Sequence, residues 1–588
     1  MKPDDVDGRG ARLRPERWAP GAPIRSFVRG TERPRGVVWF GVRSFWGHLR
    51  HFVASAIATE DIDSRDWMTP DPPHALMERA ARVLGGETGS SSLTEALGRD
   101  VFIDYVADTG DDIAVSRAVA RMVFREYSLP DPRDPDRELV APRGDILFFG
   151  GDTAYPVATA TEIANRVLVP MNQVLEAVGD EAPRVLLGIP GNHDWYDGLD
   201  GFARLFRRHV EEDDARPSVL GISHRMLEHY AEWAKEFLRG GKVEKPKSLV
   251  LVGYTAVQNA SYFVLPLSPS LHLYGVDRQL RDVDSRQARF LTSWRENHPE
   301  ATPFVALPDP VYHFGKPSGT GTAMIEALGL DTEARTAFLL SGDVHHYERF
   351  RHGKALHVIA GGGGAFLHPA SIDKKGRIEP DVEWPDARQS AAMLGQVPWK
   401  IALGRSGFLP HLVLLLLFAP AMAIGIAAYH WLGTRIVGPI ATLVMGTIVY
   451  SLIGGARRHG WRVLTPAIGA ALVTALLPVG STLALRFAAR MADFSLPRPL
   501  LLFTGIMGAV FAGAWVFGAY LAFLTRFGYE HTQAFTALDH PGFKHFLRLR
   551  VRADGSGVDI FCIGLPNPLG EGAKPVLVDV TSFEVEDD

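Results

Sequence analysis

The sequence predicts an α/β layered domain, then four membrane-spanning helices, then a small β-rich tail. Three observations carry that prediction. Up to about Trp399, short apolar runs ending in Gly or Asp alternate with amphipathic stretches. Residues 406–434, 436–456, 463–485 and 499–525 then contain no Asp, Glu, Lys or Arg. After them Leu547, Leu549 and Val551 alternate with Arg548, Arg550 and Arg552, ahead of an Asp554-Gly555 turn and the run VDIFCIGL. That last pattern is a β-hairpin signal.

The 588 residues divide accordingly into an N-terminal region (1–100), a layered domain (101–370), a connector (371–405), a transmembrane region (406–526) and a tail (527–588). Near the N-terminus Phe45, Leu49, Phe52, Val53, Ala56 and Ile57 share one helical face, with Arg43, His48, Arg50 and His51 around it. That pattern fits a docking helix or one lying on a membrane surface. In the layered domain VFIDYVAD, DILFFGGD, RVLLGIPGNHD, PFVALPDP and TAFLLSGD read as buried strands bounded by turn formers. The connector is charged and interrupted by Pro, and Trp384 and Trp399 are expected to mark the approach to a membrane interface.

Each charge-free stretch reaches the ~20 residues that a helix needs to cross a ~30 Å hydrocarbon core. Four crossings put both flanks on one side. That side carries Lys400, Arg405, Arg457, Arg458, Arg462 and Arg526, against Arg435, Arg486, Arg490 and Arg498 on the other. The bias predicts cytoplasmic flanks. A polar N-terminus without a signal-type apolar stretch agrees. So does Cys562, the only cysteine, which rules out an intramolecular disulfide and fits a reducing compartment. Spans without ionisable residues point to anchoring rather than transport. A net charge of −5 gives no global basic field for nucleic acid.

Four strand-like runs end in metal-ligand residue types. Asp108 closes the first and Asp152 the second; Asn192, His193 and Asp194 follow the third; Asp343, His345 and His346 follow the last. In open α/β sheets ligands gather at these carboxyl ends. Carboxylate, amide oxygen and imidazole together suit hard or borderline divalent ions. A carboxylate such as Asp152 can bridge two ions ~3.5–4 Å apart, the spacing for in-line attack on phosphorus by a metal-generated hydroxide.

The strings ADTGDD, GGDTAYP, PGNHDWYDGL, SGDVHHY and GGGGAFLHP, in this order between about Asp108 and His368, resemble the calcineurin-like metallophosphoesterase superfamily. With hydrophobic spans following, they are similar to a membrane-associated subgroup of it. The resemblance implies a four-layer αββα sandwich and two divalent ions. It implies that Asp152 bridges both ions, that Asp108 and His345 serve the first, and that Asn192 and Asp343 serve the second. His193 would protonate the leaving alcohol, oriented by Asp194. Three family imidazoles are missing: Gly110 stands in the first motif, Pro308 before Pro310 in the fourth, and Asp343 at the start of the fifth. Asp111, Asp309 and His313 are the replacements at hand. Fewer nitrogens shift the expected metal toward Mn²⁺ or Fe, with Mg²⁺ or Zn²⁺ as alternatives.

Other residues carry weaker expectations. His346 points away from its neighbour on an extended segment and reads as structural or supporting, and His368 has no assigned role. Glycines 361–364 are either a phosphate cradle or a plain turn. The resulting expectation is a membrane-anchored phosphoesterase whose partners are a phosphate-ester substrate and the lipid bilayer. Its rivals are a catalytically degenerate metal- or nucleotide-binding sensor and the regulatory domain of a membrane transporter.

Overall fold

A computed structural model describes residues 22–28, 36–42, 44, 69–180, 182–208, 249–279, 283–372, 377–428, 436–493 and 497–585. The apolar face of Phe45, Leu49, Phe52, Val53, Ala56 and Ile57 lies outside them.

Two seven-stranded sheets form the body. At the centre of the first, Val101–Val106, Ile146–Phe149 and Arg184–Gly188 run parallel, with Tyr254–Ala256 at one edge. In the second, Leu271–Gly275, Thr302–Leu307, Ala337–Ser341 and Ala355–Ala360 are parallel; Phe263–Ser268 edges one side, and Tyr347–His352 and Val382–Trp384 the other. These central strands are mostly apolar because both faces are covered. Ile103, Tyr105, Phe148 and Leu187 meet Leu273, Phe304, Phe338 and Val358 between the sheets. The alternate residues Phe102, Val106, Leu147 and Phe149 pack with Val119, Val123 and Leu175 of the helices Ile113–Val123 and Val169–Val178. On the far side Val305, Leu307 and Leu339 pack with Leu291 and Met324 of the helices Ser285–Asn297 and Gly319–Ala327.

The tail is not a separate unit. Lys544–Val551, Gly557–Leu565 and Val576–Glu584 extend the first sheet, with Val101 paired to Val551 and Tyr105 to Leu547. The alternating arginines do not form a solvated face. Arg548 is fully buried, its Nε 2.7 Å from Asp104 Oδ1 and its Nη2 3.1 Å from Oδ2, and it donates to the carbonyls of Val123, Arg125 and Ala141. A buried guanidinium is tolerated only with its charge and donors matched in this way. Arg550 pairs with Asp100 and Arg552 with Asp559. Trp384 packs edge-on against Phe543 and His545.

Between Val382–Trp384 of the second sheet and Lys544–Val551 of the first, the chain makes an excursion through four apolar helices, Leu409–Ala428, Gly438–Ile453, Trp461–Met491 and Arg498–Arg526. Two stretches, Trp461–Met491 and Phe503–Arg526, are long and apolar enough to cross a membrane by length and composition. Small residues such as Ala467, Ala471, Ala509 and Ala514 bring the helices together, as helix contacts in lipid favour. Tyr450 hydroxyl bonds Thr474 at 3.0 Å, and Tyr520 hydroxyl donates to the Tyr450 carbonyl at 2.8 Å. Because the excursion leaves and re-enters one sheet body, any crossings it makes are even in number.

Candidate functional site

The strand ends bring their sharp turns together. Asp108, Asp152 and Asp343 all adopt positive φ, at 59°, 48° and 64°, a conformation that non-glycine residues hold only where their surroundings impose it. Gly191 is required by close approach: a Cβ there would sit 2.2 Å from Asp152 Oδ1. The glycines at 361–364 serve the same end. Added Cβ atoms at 361, 362 and 363 would strike Asp108 Oδ2, the His545 ring and the Ala107 carbonyl, so the run packs against the 107–109 loop.

Three side chains converge on one phenol oxygen. The Tyr155 hydroxyl donates to Asp108 Oδ1 at 2.8 Å and lies 3.2 Å from Asp152 Oδ2 and 3.1 Å from His345 Nε2. His345 Nε2 is itself 3.3 Å from Asp108 Oδ1. His345 Nδ1 faces the Phe366 carbonyl at 2.7 Å, a bond in which the ring nitrogen donates and which holds the ring with Nε2 turned toward the carboxylates. Backbone N–H groups brace the acids: Asp343 N donates to Asp108 Oδ2 at 2.9 Å, and His193 N to Asp152 Oδ1 at 2.8 Å. Burial pushes Asp152 well up, aided by the charges of Asp108, Asp194 and Asp343. Burial likewise raises Asp108, against the pull of His345. It raises Tyr155 well above the usual phenol range, helped by Asp108 and Asp152.

On the other side, His313 Nε2 is 3.2 Å from Asp343 Oδ2. Burial works to raise Asp343, but His313, Arg278 and His345 hold it down to about 2. Asn192 donates through Nδ2 to the Tyr196 hydroxyl at 3.1 Å. Asp309 is paired with Arg278, Nη1 to Oδ1 2.9 Å, and burial and Asp343 push it up to about 6. The Arg278 guanidinium also feels Asp343 and Asp152.

His193 stands between the two groups. Its Nδ1 is 2.6 Å from the Pro156 carbonyl, and its ring lies among Tyr155, Tyr196 and Trp39, at centroid distances of 4.4, 5.1 and 6.2 Å. Asp194 is buried, and its carboxylate accepts from Gly191 N at 2.9 Å and Thr153 N at 3.3 Å; burial lifts it to about 7 against these bonds. The carboxylate ties two motif loops together, and the carbonyl of Pro156 is what holds the His193 ring. Asp111 accepts from Val37 N at 2.9 Å and from Trp39 Nε1 at 3.3 Å. Of the three replacement candidates, only His313 sits against an expected ligand without an arginine or a backbone strap on it. His368 acquires a part: its Nδ1 accepts from His345 N at 3.0 Å, and the two rings stack 4.0 Å apart. His346 pairs with buried Glu348 at 3.1 Å.

Sequence reasoning passed over Tyr155, Arg278 and Trp39. Tyr155 lies three positions after Asp152 in GDTAY, and Arg278 follows the strand Leu271–Gly275, so the strand-end rule applied once more would have found it. Among the described residues no group of three or more His, Cys, Asp and Glu side chains is arranged to hold an ion; in the tightest group the phenol oxygen stands among the others.

No protein-family model matches the chain, and no curated protein matches it. Solved structures similar to it include PhoD, 12% identical with a TM-score of 0.25 over 46% of this chain and 58% of that one. They also include GAP50, the anchor in the inner membrane complex of Plasmodium, 10% identical with a TM-score of 0.25 over 48% and 78%. The chain therefore spans little more than half the length of PhoD.

Proposed function

We propose that this chain is a membrane-anchored, metal-dependent phosphoesterase. The observation that carries the reading is the meeting of Asp108, Asp152 and His345 around the Tyr155 hydroxyl. Buried carboxylates that repel one another are costly unless a cation compensates them, and the donors here are oxygen-rich with one imidazole. Divalent ions fit that donor set: Mn²⁺ or Fe, with Mg²⁺ or Zn²⁺ as alternatives. Asp108, Asp152 and His345 would hold one ion, braced by Tyr155; Asp152, Asn192, Asp343 and His313 would hold a second. Such ions supply Lewis acidity for activating water and neutralise phosphate oxygens.

The remaining chemistry belongs to the chain. His193, with Nδ1–H engaged by Pro156, aims Nε2 at the departing oxygen, to which the imidazolium form gives its Nε2 proton. Arg278, held by Asp309, offers guanidinium donors to the phosphoryl group. The helical excursion anchors the sheet body, and its arginine distribution favours a cytoplasmic orientation with four crossings. A second reading, a site that binds without turnover, is favoured by the charge-matched Arg278–Asp309 pair on the Asn192 side.

The test is hydrolysis of an aryl phosphate and an aryl phosphodiester by the full chain in detergent with defined metals. Asp152→Asn is expected to lose ~1000-fold or more in rate, and His193→Ala ~100-fold or more in kcat. Full activity in Asp152→Asn would end the proposal, and a metal-loaded but inert wild type would select the second reading.

A further inference from the structure

The apolar helices carry a groove that uses none of the residues of the candidate site. It runs between Gly438–Ile453 and Trp461–Met491 and is lined by Thr447, Ile448, Ser451, Leu452, Arg457 and Arg458. Its chemistry is graded along its length. Ile448 and Leu452 turn outward, 55% and 66% exposed, and give an apolar wall. Thr447 and Ser451 lie one turn apart and share a helix face. Serine in an apolar helix commonly bonds back to the carbonyl four residues earlier; the Ser451 hydroxyl is buried and has no protein partner. At the mouth, the short turn Ala456–His459 presents Arg457 and Arg458, both exposed. The whole link 454–462, GGARRHGWR, contains no Asp or Glu. Trp461 beside it is 75% exposed, as an interfacial anchor would be.

We propose that this groove binds an anionic phospholipid of the surrounding bilayer. The lipid phosphate meets Arg457 and Arg458, glycerol or ester oxygens reach Ser451 and Thr447, and an acyl chain lies along Ile448 and Leu452. Charge complementarity selects the occupant: two guanidinium groups on a link that contains no Asp or Glu favour a head group of net negative charge, whereas a zwitterionic head group brings its own ammonium into the same positive field. The inference rests on the helices lying in a membrane and is independent of the phosphoesterase reading.

The experiment is native mass spectrometry of the full chain in neutral detergent, titrated with phosphatidylglycerol or phosphatidylcholine. Phosphatidylglycerol is expected to bind about tenfold more tightly. The double variant Arg457→Gln/Arg458→Gln should lose that preference, while Arg486→Gln/Arg490→Gln keeps it. Ser451→Val should weaken phosphatidylglycerol several-fold with both arginines intact, and millimolar inorganic phosphate should leave the lipid bound. Equal affinity for the two lipids, a preference surviving the double variant, or displacement by phosphate would each overturn the proposal. Absence of lipid binding in a chain that still hydrolyses aryl phosphate would overturn it too, leaving the catalytic reading in place.

Discussion

The two sides of the candidate site are built on opposite electrostatic terms. Around Tyr155, two buried carboxylates and an imidazole share one phenol, and among the described residues no arginine or lysine reaches their oxygens by hydrogen bond. Around Asp343, each acid has a partner of its own, His313 for Asp343 and Arg278 for Asp309, whereas Asp108 and Asp152 have only His345 between them. The difference teaches that charge demand, rather than the number of ligand-type residues, separates the sides. The Tyr155 side lacks positive charge and should grip an ion. The Asp343 side is partly neutralised by the chain itself and should exchange one.

Metal removal breaks or sustains that contrast most directly. After exhaustive dialysis without chelator, the wild type is expected to keep one ion per chain by elemental analysis. Tyr155→Phe should lower affinity for that ion ~10–100-fold, in the range for a supporting oxygen at a metal site. His313→Ala should leave it bound. Two ions retained, or Tyr155→Phe without effect on metal content, would erase the asymmetry.

A smaller effect sharpens the role of the Asp343 side. If Arg278 binds the phosphoryl group, Arg278→Gln should raise KM for an aryl phosphate about tenfold, the value of one charge-assisted contact, with Arg278→Lys recovering part of it. The retained ion should be untouched. A change in metal content instead of KM would mean that Arg278 only balances Asp309.

Much of this was legible in the sequence, for physical reasons. Strand ends announce themselves through apolar runs stopped by Gly and Asp, so Asp108, Asp152, Asn192, His193, Asp343 and His345 could be singled out one by one. What a one-dimensional reading lacks is pairing between distant segments. Arg548 alternates with Leu547 and Leu549 as a surface strand would, and only its pairing with Asp104, 444 residues away, turns it into a core residue. Tyr155 was passed over because a phenol packs as readily as it binds. Nothing local to Asp111 shows that Val37 and Trp39 donate to its oxygens.

Trp39 gives the smallest effect and the most discriminating one, because it leans on the Tyr155 side while being held partly from the helices. Its ring lies edge-on to Phe366 at 4.8 Å and Tyr155 at 5.6 Å, and its indole N–H reaches Asp111. One residue on, Phe40 N donates to the Ser406 carbonyl and the Phe40 carbonyl accepts from Leu409 N, both at 3.0 Å, where the first apolar helix begins. Gly407 makes this crossing possible: its φ is +112°, and a Cβ there would lie 2.3 Å from the Phe40 carbonyl carbon. Trp39→Ala should therefore reduce kcat/KM several-fold by loosening the wall beside His193, without loss of the retained ion. Gly407→Ala touches no residue of the site, yet it must displace Phe40 and, through it, Trp39; a reduction of the same kind, about twofold to fivefold, is expected in the folded variant. If thermal stability falls in Gly407→Ala while kcat/KM holds, the wall is fixed by Asp111 alone, and the helices anchor the sheet body without setting its site.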